Sequence, residues 1–389
     1  MSYVLPRILR PVRLLVLALA SVFLASCQDV VGTGPLLNSG ATVPVALLVP
    51  FESGDPNNDV LATSLQNGAQ LAVNDLEGAK VDLRVYPTKG TPEGAAAAAT
   101  KAANEGAKII IGPVYASAAN AAGKAVAARG ITVLSFSNNP QIAGGNVFVL
   151  GHTFKNTAKR LVSYAKSQGF DRVMVVHADN VSGGIGRDAV ETAVNEAGAT
   201  FTGAASYKFS QQGVIDAVKE IATQVKDTDT NAIVFASSTA GALPILAQLL
   251  PENGVDPKKI KFMGLTRWDI PTQTLSLRGL QGGWFALPDP ALSGAFRDRY
   301  MQAFGQRPHP LAGIAYDAVA AIGALISSGK PNALSRGNLT QPAGFAGVNG
   351  VFRLLPDGTN ERALAVVEIR NKKVEVIDPA PGSFASVGF

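Results

Sequence analysis

The sequence predicts an α/β protein of two lobes, each a parallel sheet covered by helices on both faces. Three observations carry this. Short apolar runs alternate with segments of helical period from Val43 onward. The same alternation restarts after Phe154, which implies a second sheet. The last quarter breaks the rhythm with paired helices and a cluster of strands, which are expected to return and complete both lobes.

In chain order, Val43–Val49 is a short apolar run with the look of a buried strand, and Leu65, Ala69, Ala72, Val73 and Leu76 recur at helical spacing. Val81–Tyr86 is the next strand. Thr91-Pro92 opens a helix as N-cap and first helical residue, and Gly106 closes it. Lys108–Ile111, an Ala-rich helix ending at Gly130, and Ile131–Leu134 complete the first run. In the second run, a helix over Asn156–Gln168 precedes strand Arg172–Val176 and helix Asp188–Glu196. Strands Thr200–Ala205, Ala232–Ala236 and Lys261–Leu265 then alternate with helices over Val214–Val225 and Ala242–Leu250. Helices over Ser293–Phe304 and Ile314–Ser328 follow. Strands Val351–Leu354, Leu364–Ile369 and Lys373–Ile377 close the chain, the first two joined by a turn at Pro356-Asp357-Gly358. The expected division is 43–153 plus 285–338 for the first lobe and 154–284 plus 339–378 for the second.

The first 26 residues read as an export signal. Arg7, Arg10 and Arg13 precede an apolar run from Leu14 to Ala25, about twelve residues, which is short for a membrane span and right for a signal-peptide core. The run ends in Leu24-Ala25-Ser26-Cys27, which resembles the lipobox of bacterial lipoproteins. That resemblance implies cleavage before Cys27 and attachment of lipid to its thiol, with residues 27–42 as a Gly/Ser/Asn-bearing tether. Cys27 is the only cysteine, so the chain cannot form an internal disulfide or a cysteine metal site. Three of the 34 basic residues and none of the 29 acidic ones precede Cys27, so the remainder is nearly neutral, which argues against nucleic acid as a partner.

Enzyme signatures are weak. The histidines His152, His177 and His309 are scattered without metal-ligand spacing and are expected in core or surface roles. Gly183-Gly184-Ile185-Gly186 is a glycine-rich stretch without the dinucleotide or phosphate-loop pattern. No cofactor, metal or catalytic residue is expected.

In open parallel sheets, ligands bind beyond the carboxyl ends of strands. Three such loops carry small polar groups. Gly112–Ser117, with Tyr115 and Ser117, opens a helix whose free N–H groups suit a carboxylate. Ser135, Ser137 and Asn138 follow the next strand, with Phe136 placed to pack on an apolar ligand body. Asp179 and Ser182 follow a strand of the second lobe. Ser117 and Ser182 read equally well as helix caps. Arg267 and Trp268 follow another strand end, as ligand, interlobe or partner contacts.

The chain from Val43 to Ile377 resembles the type I periplasmic binding proteins of the Leu/Ile/Val-binding group. The matching stretches are Gly68–Asn74, Ile109–Pro113 with Ser117, the Ser135–Pro140 loop and Ala315–Ala318. The resemblance implies two Rossmann-like lobes joined by three hinge strands, with ligand bound in the cleft and no catalysis. It places Ser117, Ser135, Ser137 and Asn138 where an amino acid's charged groups would sit, with Tyr115 lining the same cleft. Two departures stand out. Asp179 is followed by Asn180-Val181-Ser182-Gly183 rather than by a tyrosine, and no acidic residue matches the family's partner for the ligand ammonium. A solute receptor serving an ABC permease is one expectation. A second branch is also similar, the lipoproteins that activate penicillin-binding proteins, on Gly264–Trp268 and on Gly347–Phe352 through Asp357-Gly358 to Arg362–Leu364. Gln28 after Cys27, where an inner-membrane retention signal would have aspartate, points to the outer membrane and suits that branch.

Overall fold

The computed structural model describes residues 34–384 except 238. Cys27, Gln28 and the leader lie outside the described residues. Among those described, no helix is long and apolar enough to cross a membrane.

The first lobe is built on a five-stranded parallel sheet in the order β2-β1-β3-β4-β5. Its strands are β1 (Val43–Val49), β2 (Val81–Pro87), β3 (Ile109–Ile111), β4 (Thr132–Ser135) and β5 (Val147–Val149). Helices α1 (Pro56–Asp75), α2 (Pro92–Asn104) and α3 (Ala116–Val126) connect them. The second lobe has α4 (Phe154–Ser167), β6 (Arg172–Ala178), α5 (Val181–Ala197), β7 (Thr200–Tyr207), α6 (Gln211–Asp227), β8 (Ala232–Ala236), α7 (Ala242–Glu252), β9 (Lys261–Gly264) and β10 (Trp284–Leu287). Then come α8 (Pro290–Phe304), α9 (Ala312–Ser327), the short α10 (Arg336–Leu339) and strands β11 (Phe345–Gly347), β12 (Gly350–Leu354) and β13 (Asn360–Arg362). Strands β14 (Ala365–Arg370) and β15 (Lys373–Asp378) finish the second sheet, whose order is β15-β14-β10-β9-β8-β6-β7. Strands β6 to β10 are mutually parallel where they pair, and β14 and β15 run antiparallel.

Local chemistry explains the starts of the elements. Thr91 accepts a hydrogen bond from the Gly94 N–H, with Pro92 in the first turn, as the sequence predicts. Asp55 does the same for α1 and Thr153 for α4. Strands β3 and β8 are apolar throughout because helices cover both sheet faces, and Ile109, Ile110 and Ile111 are fully buried.

The lobe boundaries differ from expectation in two places. Trp284–Leu287 pairs with β9 and β14, so the chain leaves the second lobe near Pro288 rather than at 284/285. Residues 345–362 form a three-stranded antiparallel sheet whose Phe345, Phe352 and Leu354 share the first lobe's core with Leu47, Leu65 and Ile314. The return to the second lobe therefore comes at Ala363, not at 339. The cause is that β12 pairs through its turn with β13, leaving Leu364 onward to join a different sheet.

The lobes are joined by three crossings: Leu150–Thr153, Pro288–Asp289 and Ala363–Leu364. The first leaves the carboxyl end of β5 and the second the carboxyl end of β10, while β14 begins opposite Leu287. The carboxyl ends of both sheets thus face the crossings and each other.

Candidate functional site

Each sheet has a point where the connections change direction, between β1 and β3 in the first lobe and between β6 and β8 in the second. Ligands in open α/β sheets bind at such points, in the crevice outside the strand ends. The four helices that begin there are α1, α3, α5 and α7.

On the first lobe, Tyr115 occupies the N-cap position of α3, and its hydroxyl donates to Asn58 Oδ1 on α1, spanning the switch point. Tyr115 keeps 37% of its surface exposed. No side chain caps α3, so its first N–H groups remain open toward the crevice, and Ser117 is exposed beside them. Gly112 supports this arrangement. Its φ is +82°, and a Cβ there would lie 2.3 Å from the Leu48 carbonyl, so the loop passes against β1 only as glycine.

The neighbouring loop behaves differently from expectation. Ser135 is fully buried; its Oγ donates to the Pro113 carbonyl at 2.9 Å and accepts from Ser137 N–H at 3.1 Å. Ser137 is 6% exposed and accepts from Asn139 N–H at 3.1 Å. Both serines hold the loop's shape rather than presenting hydroxyls to the crevice. Phe136, expected against a ligand, is 2% exposed and belongs to the core. Asn138 is the exposed member of the set.

On the second lobe, Asp179 is exposed, and its N–H donates to the Tyr207 carbonyl at 2.8 Å. The cap of α5 is Asn180, which accepts from Gly183 N–H at 2.8 Å, so Ser182 is left exposed in the first turn without a capping role. The glycine-rich stretch is helical rather than a loop. A Cβ on Gly183 would lie 2.0 Å from the Ala178 carbonyl, so the glycines let the helix start press against β6. Tyr207 donates to Ser237 Oγ at 2.9 Å, and burial pushes its phenol up. A small cavity of about 300 Å³ lies beside it, lined by Tyr207, Phe209, Ser210, Val214, Ala242 and Ile245. Phe209 is 73% exposed at this rim, and Val181, the first residue of α5, is 76% exposed. Gly241 at the start of α7 offers no side-chain cap either.

Arg267 and Trp268 separate. Arg267 forms a two-bond pair with Asp269, Nε to Oδ1 at 3.0 Å, and remains partly exposed. Trp268 is fully buried between Phe235 and Phe285, with centroids at 6.4 and 6.0 Å. The expected ligand or partner contact is therefore absent for Trp268. A Cβ on Gly264 would fall 2.2 Å from its Nε1, so the indole packs directly against a glycine of β9. The loop after that strand folds inward because this glycine leaves room.

The crossings carry a network that the residue pattern did not reveal. Asp317 of α9 is wholly buried; its Oδ2 accepts from Arg362 Nη1 and Asn349 Nδ2, both at 3.0 Å, and its Oδ1 accepts from Val348 N–H at 2.8 Å. Arg362 Nε donates to the Leu150 carbonyl at 2.9 Å, tying the third crossing to the first. Asn360 donates to the Val149 and Gly151 carbonyls at 2.7 and 3.0 Å. Burial pushes the Asp317 carboxyl up and the Arg362 guanidinium down, each opposed by the other's charge. Between the crossings, His152 is held well below its usual value, first by burial and then by the charges of Arg362 and Arg267. Its Nδ1 is buried without a hydrogen-bond partner. The one signal for Asp317 was a lone carboxylate in the otherwise apolar helix Ile314–Ile322.

Among the described residues, no group of His, Cys, Asp and Glu is arranged to hold a metal. The site offers open backbone donors, amides, hydroxyls and exposed apolar side chains, which is the chemistry of binding.

A family model described as periplasmic binding protein matches residues 42–373. The chain belongs to the periplasmic binding proteins. A branched-chain amino acid ABC transporter periplasmic ligand-binding protein from Burkholderia xenovorans superposes with a TM-score of 0.69 at 18% identity, covering 87% of this chain and 96% of that one. An ABC transporter substrate-binding protein from Desulfitobacterium hafniense, in complex with Leu, gives 0.64 at 19% identity, covering 87% and 100%. A solute binding protein of R. palustris in complex with benzoate gives 0.58 at 17% identity, covering 88% and 97%. These likenesses share the fold. An uncharacterized protein of Rickettsia prowazekii is 21% identical over 234 residues, 59% of this chain. The match spans about three fifths of that relative's length, 61%. Family membership assigns a periplasmic binding role to the chain.

Proposed function

We infer that the protein is a non-enzymatic, lipid-anchored receptor that captures a small, amino-acid-like carboxylate between its lobes and delivers it to an ABC permease. The observation that carries this is the uncapped start of α3 at the first switch point, with Ser117 and the Tyr115–Asn58 pair beside it. Open N–H groups at the positive end of a helix suit a carboxylate. Asp179, Ser182 and the exposed Val181 and Phe209 follow the carboxyl ends of β6 and β7 in the second lobe, suiting a ligand with an apolar body. Solved relatives in complex with Leu and with benzoate are compatible with such a ligand. Calorimetric titration with amino acids and aryl carboxylates tests it. Saturable heat that disappears in Ser117→Trp supports the reading, and silence across both classes rejects it. The anchor is tested separately, since Cys27→Ser should release the protein from membranes.

A second reading is an activator of penicillin-binding proteins acting from the outer membrane. Val181 and Phe209, both about three-quarters exposed, are what favours it, because such apolar surface suits a protein partner. Crosslinking in cells distinguishes the two by recovering either a peptidoglycan synthase or a permease.

A further inference from the structure

A second cavity, of about 640 Å³, lies away from the facing strand ends, and none of the crevice residues lines it. It opens between α4, the C-terminal half of α5, the third crossing and Pro381–Phe384. Its volume is in the range of small-molecule sites. Ala193, Ala197, Leu364 and Phe384 give it an apolar wall.

The opposite wall is cationic. Lys155, Lys159 and Arg160 sit in the first two turns of α4, whose first turn holds no acidic residue. Cations there oppose the helix dipole, so an anion would relieve them. Their pairings are unequal. Arg160 is held by Asp378 Oδ2 at 2.6 Å and the Leu364 carbonyl at 2.7 Å, and Lys159 by Glu361 at 3.1 Å. Lys155 meets Glu196 only at 3.7 Å, with both side chains about half exposed. Arg362 also lines the cavity, and its Nη2 has no hydrogen-bond partner although its side chain is 1% exposed.

We propose that this cavity is a second ligand site, for a small organic anion with an apolar body such as a medium-chain carboxylate. The anionic head meets Lys155 and the chain lies along Ala193, Ala197 and Leu364. The site's floor is Glu361–Leu364, at the third crossing, and its wall is the helix into which the first crossing leads. A ligand there touches both segments that set the angle between the lobes. Its occupancy is therefore coupled to ligand in the crevice, and the coupling is reciprocal.

Calorimetry of the purified protein with decanoate tests this, with decanol as the uncharged arm. Saturable decanoate binding is expected, weakened about tenfold by Lys155→Glu and by Ser163→Trp, and unchanged by Ser117→Trp in the crevice. Lys155 and Ser163 are exposed, so unchanged melting temperatures will show that both variants fold. Absence of binding, equal binding of decanol, or loss only in Ser117→Trp would each overturn the proposal. So would binding that appears only after removal of residues 385–389, since the chain itself would then be the occupant. The crevice reading fails by a different result, silence toward amino acids and aryl carboxylates, so the two are judged independently.

Discussion

The crossings and the crevice lie side by side and are built on opposite terms. At the crossings, charge is buried and paired, with Asp317 accepting from Arg362, Asn349 and Val348. At the crevice, the polar groups are neutral or exposed, and the starts of α3 and α7 carry no side-chain cap. A pivot must keep its geometry while the lobes move, whereas a binding face must keep its donors free for a ligand. The difference shows that the fully buried ion pair among the described residues, Arg362 with Asp317, belongs to the pivot.

The sharpest way to break the pivot is to remove one partner of its ion pair. Arg362→Met leaves the Asp317 carboxylate buried without its cation and should cost about 3–5 kcal/mol, read as a lower denaturant midpoint. Asp317→Leu should cost a similar amount. The double variant should recover much of the loss, because two well-packed apolar residues avoid the desolvation of two charges. Equal and additive losses would mean that the pair has no mutual dependence and that the crossings are held by their backbone contacts instead.

A smaller effect separates the two serine sets. Ser135→Ala removes the donor to the Pro113 carbonyl and the acceptor for Ser137 N–H inside the core, and should cost about 1–3 kcal/mol. Ser117→Ala, at an exposed helix start, should stay within about 0.5 kcal/mol in stability while weakening ligand capture. Reversed magnitudes in thermal unfolding would move Ser135 back into the binding face.

This contrast also shows how far the residue pattern reaches. Strands such as Ile109–Ile111 and caps such as Thr91 were legible because they depend on local apolarity and on side-chain chemistry within one turn. The two-lobed α/β architecture followed from their alternation. The fate of Ser135, Ser137, Phe136 and Trp268 was not legible, because small polar and aromatic residues after a strand look the same whether they face ligand or core. Trp268 turns inward because Gly264 leaves space beneath its indole, a contact set by residues that the pattern treats as unrelated. Asp317 and Arg362 are 45 residues apart, so their pairing appears only once α9 and the third crossing are packed. The separation of β13 from β14 was hidden for the same reason, since one continuous polar-apolar run feeds two sheets.

The pivot should also carry a pH signature. His152 is neutral in the fold to well below its ordinary value of 6.5, whereas in the unfolded chain it takes a proton near that value. As pH falls below about 6.5 the unfolded state therefore binds more protons, and the stability contribution present above that pH is lost. Asp317, raised above its ordinary 3.8, has the opposite sign, its contribution falling as pH rises from the acid side. Urea midpoints measured from about pH 7.5 to 5 should drop less steeply in His152→Gln than in the unmodified protein. Identical slopes would show that His152 is not kept neutral between the two arginines.

The smallest expected change in stability is at the crevice itself. Tyr115→Phe removes one exposed hydrogen bond to Asn58, so the melting temperature should barely move, in keeping with a loss within about 0.5 kcal/mol. Its consequence for binding is larger in proportion. The hydroxyl fixes Asn58 on α1 against the start of α3, and without it the amide must be oriented when ligand arrives rather than beforehand. Ordering a freed side chain costs about 0.5–1.5 kcal/mol, so affinity should fall by roughly two- to tenfold while stability is conserved. An affinity loss without a stability loss is the mark of a binding face. If Tyr115→Phe instead lowers stability as Ser135→Ala does, the Tyr115–Asn58 contact is a brace like those at the crossings, and the ligand's donors must be sought on the second lobe.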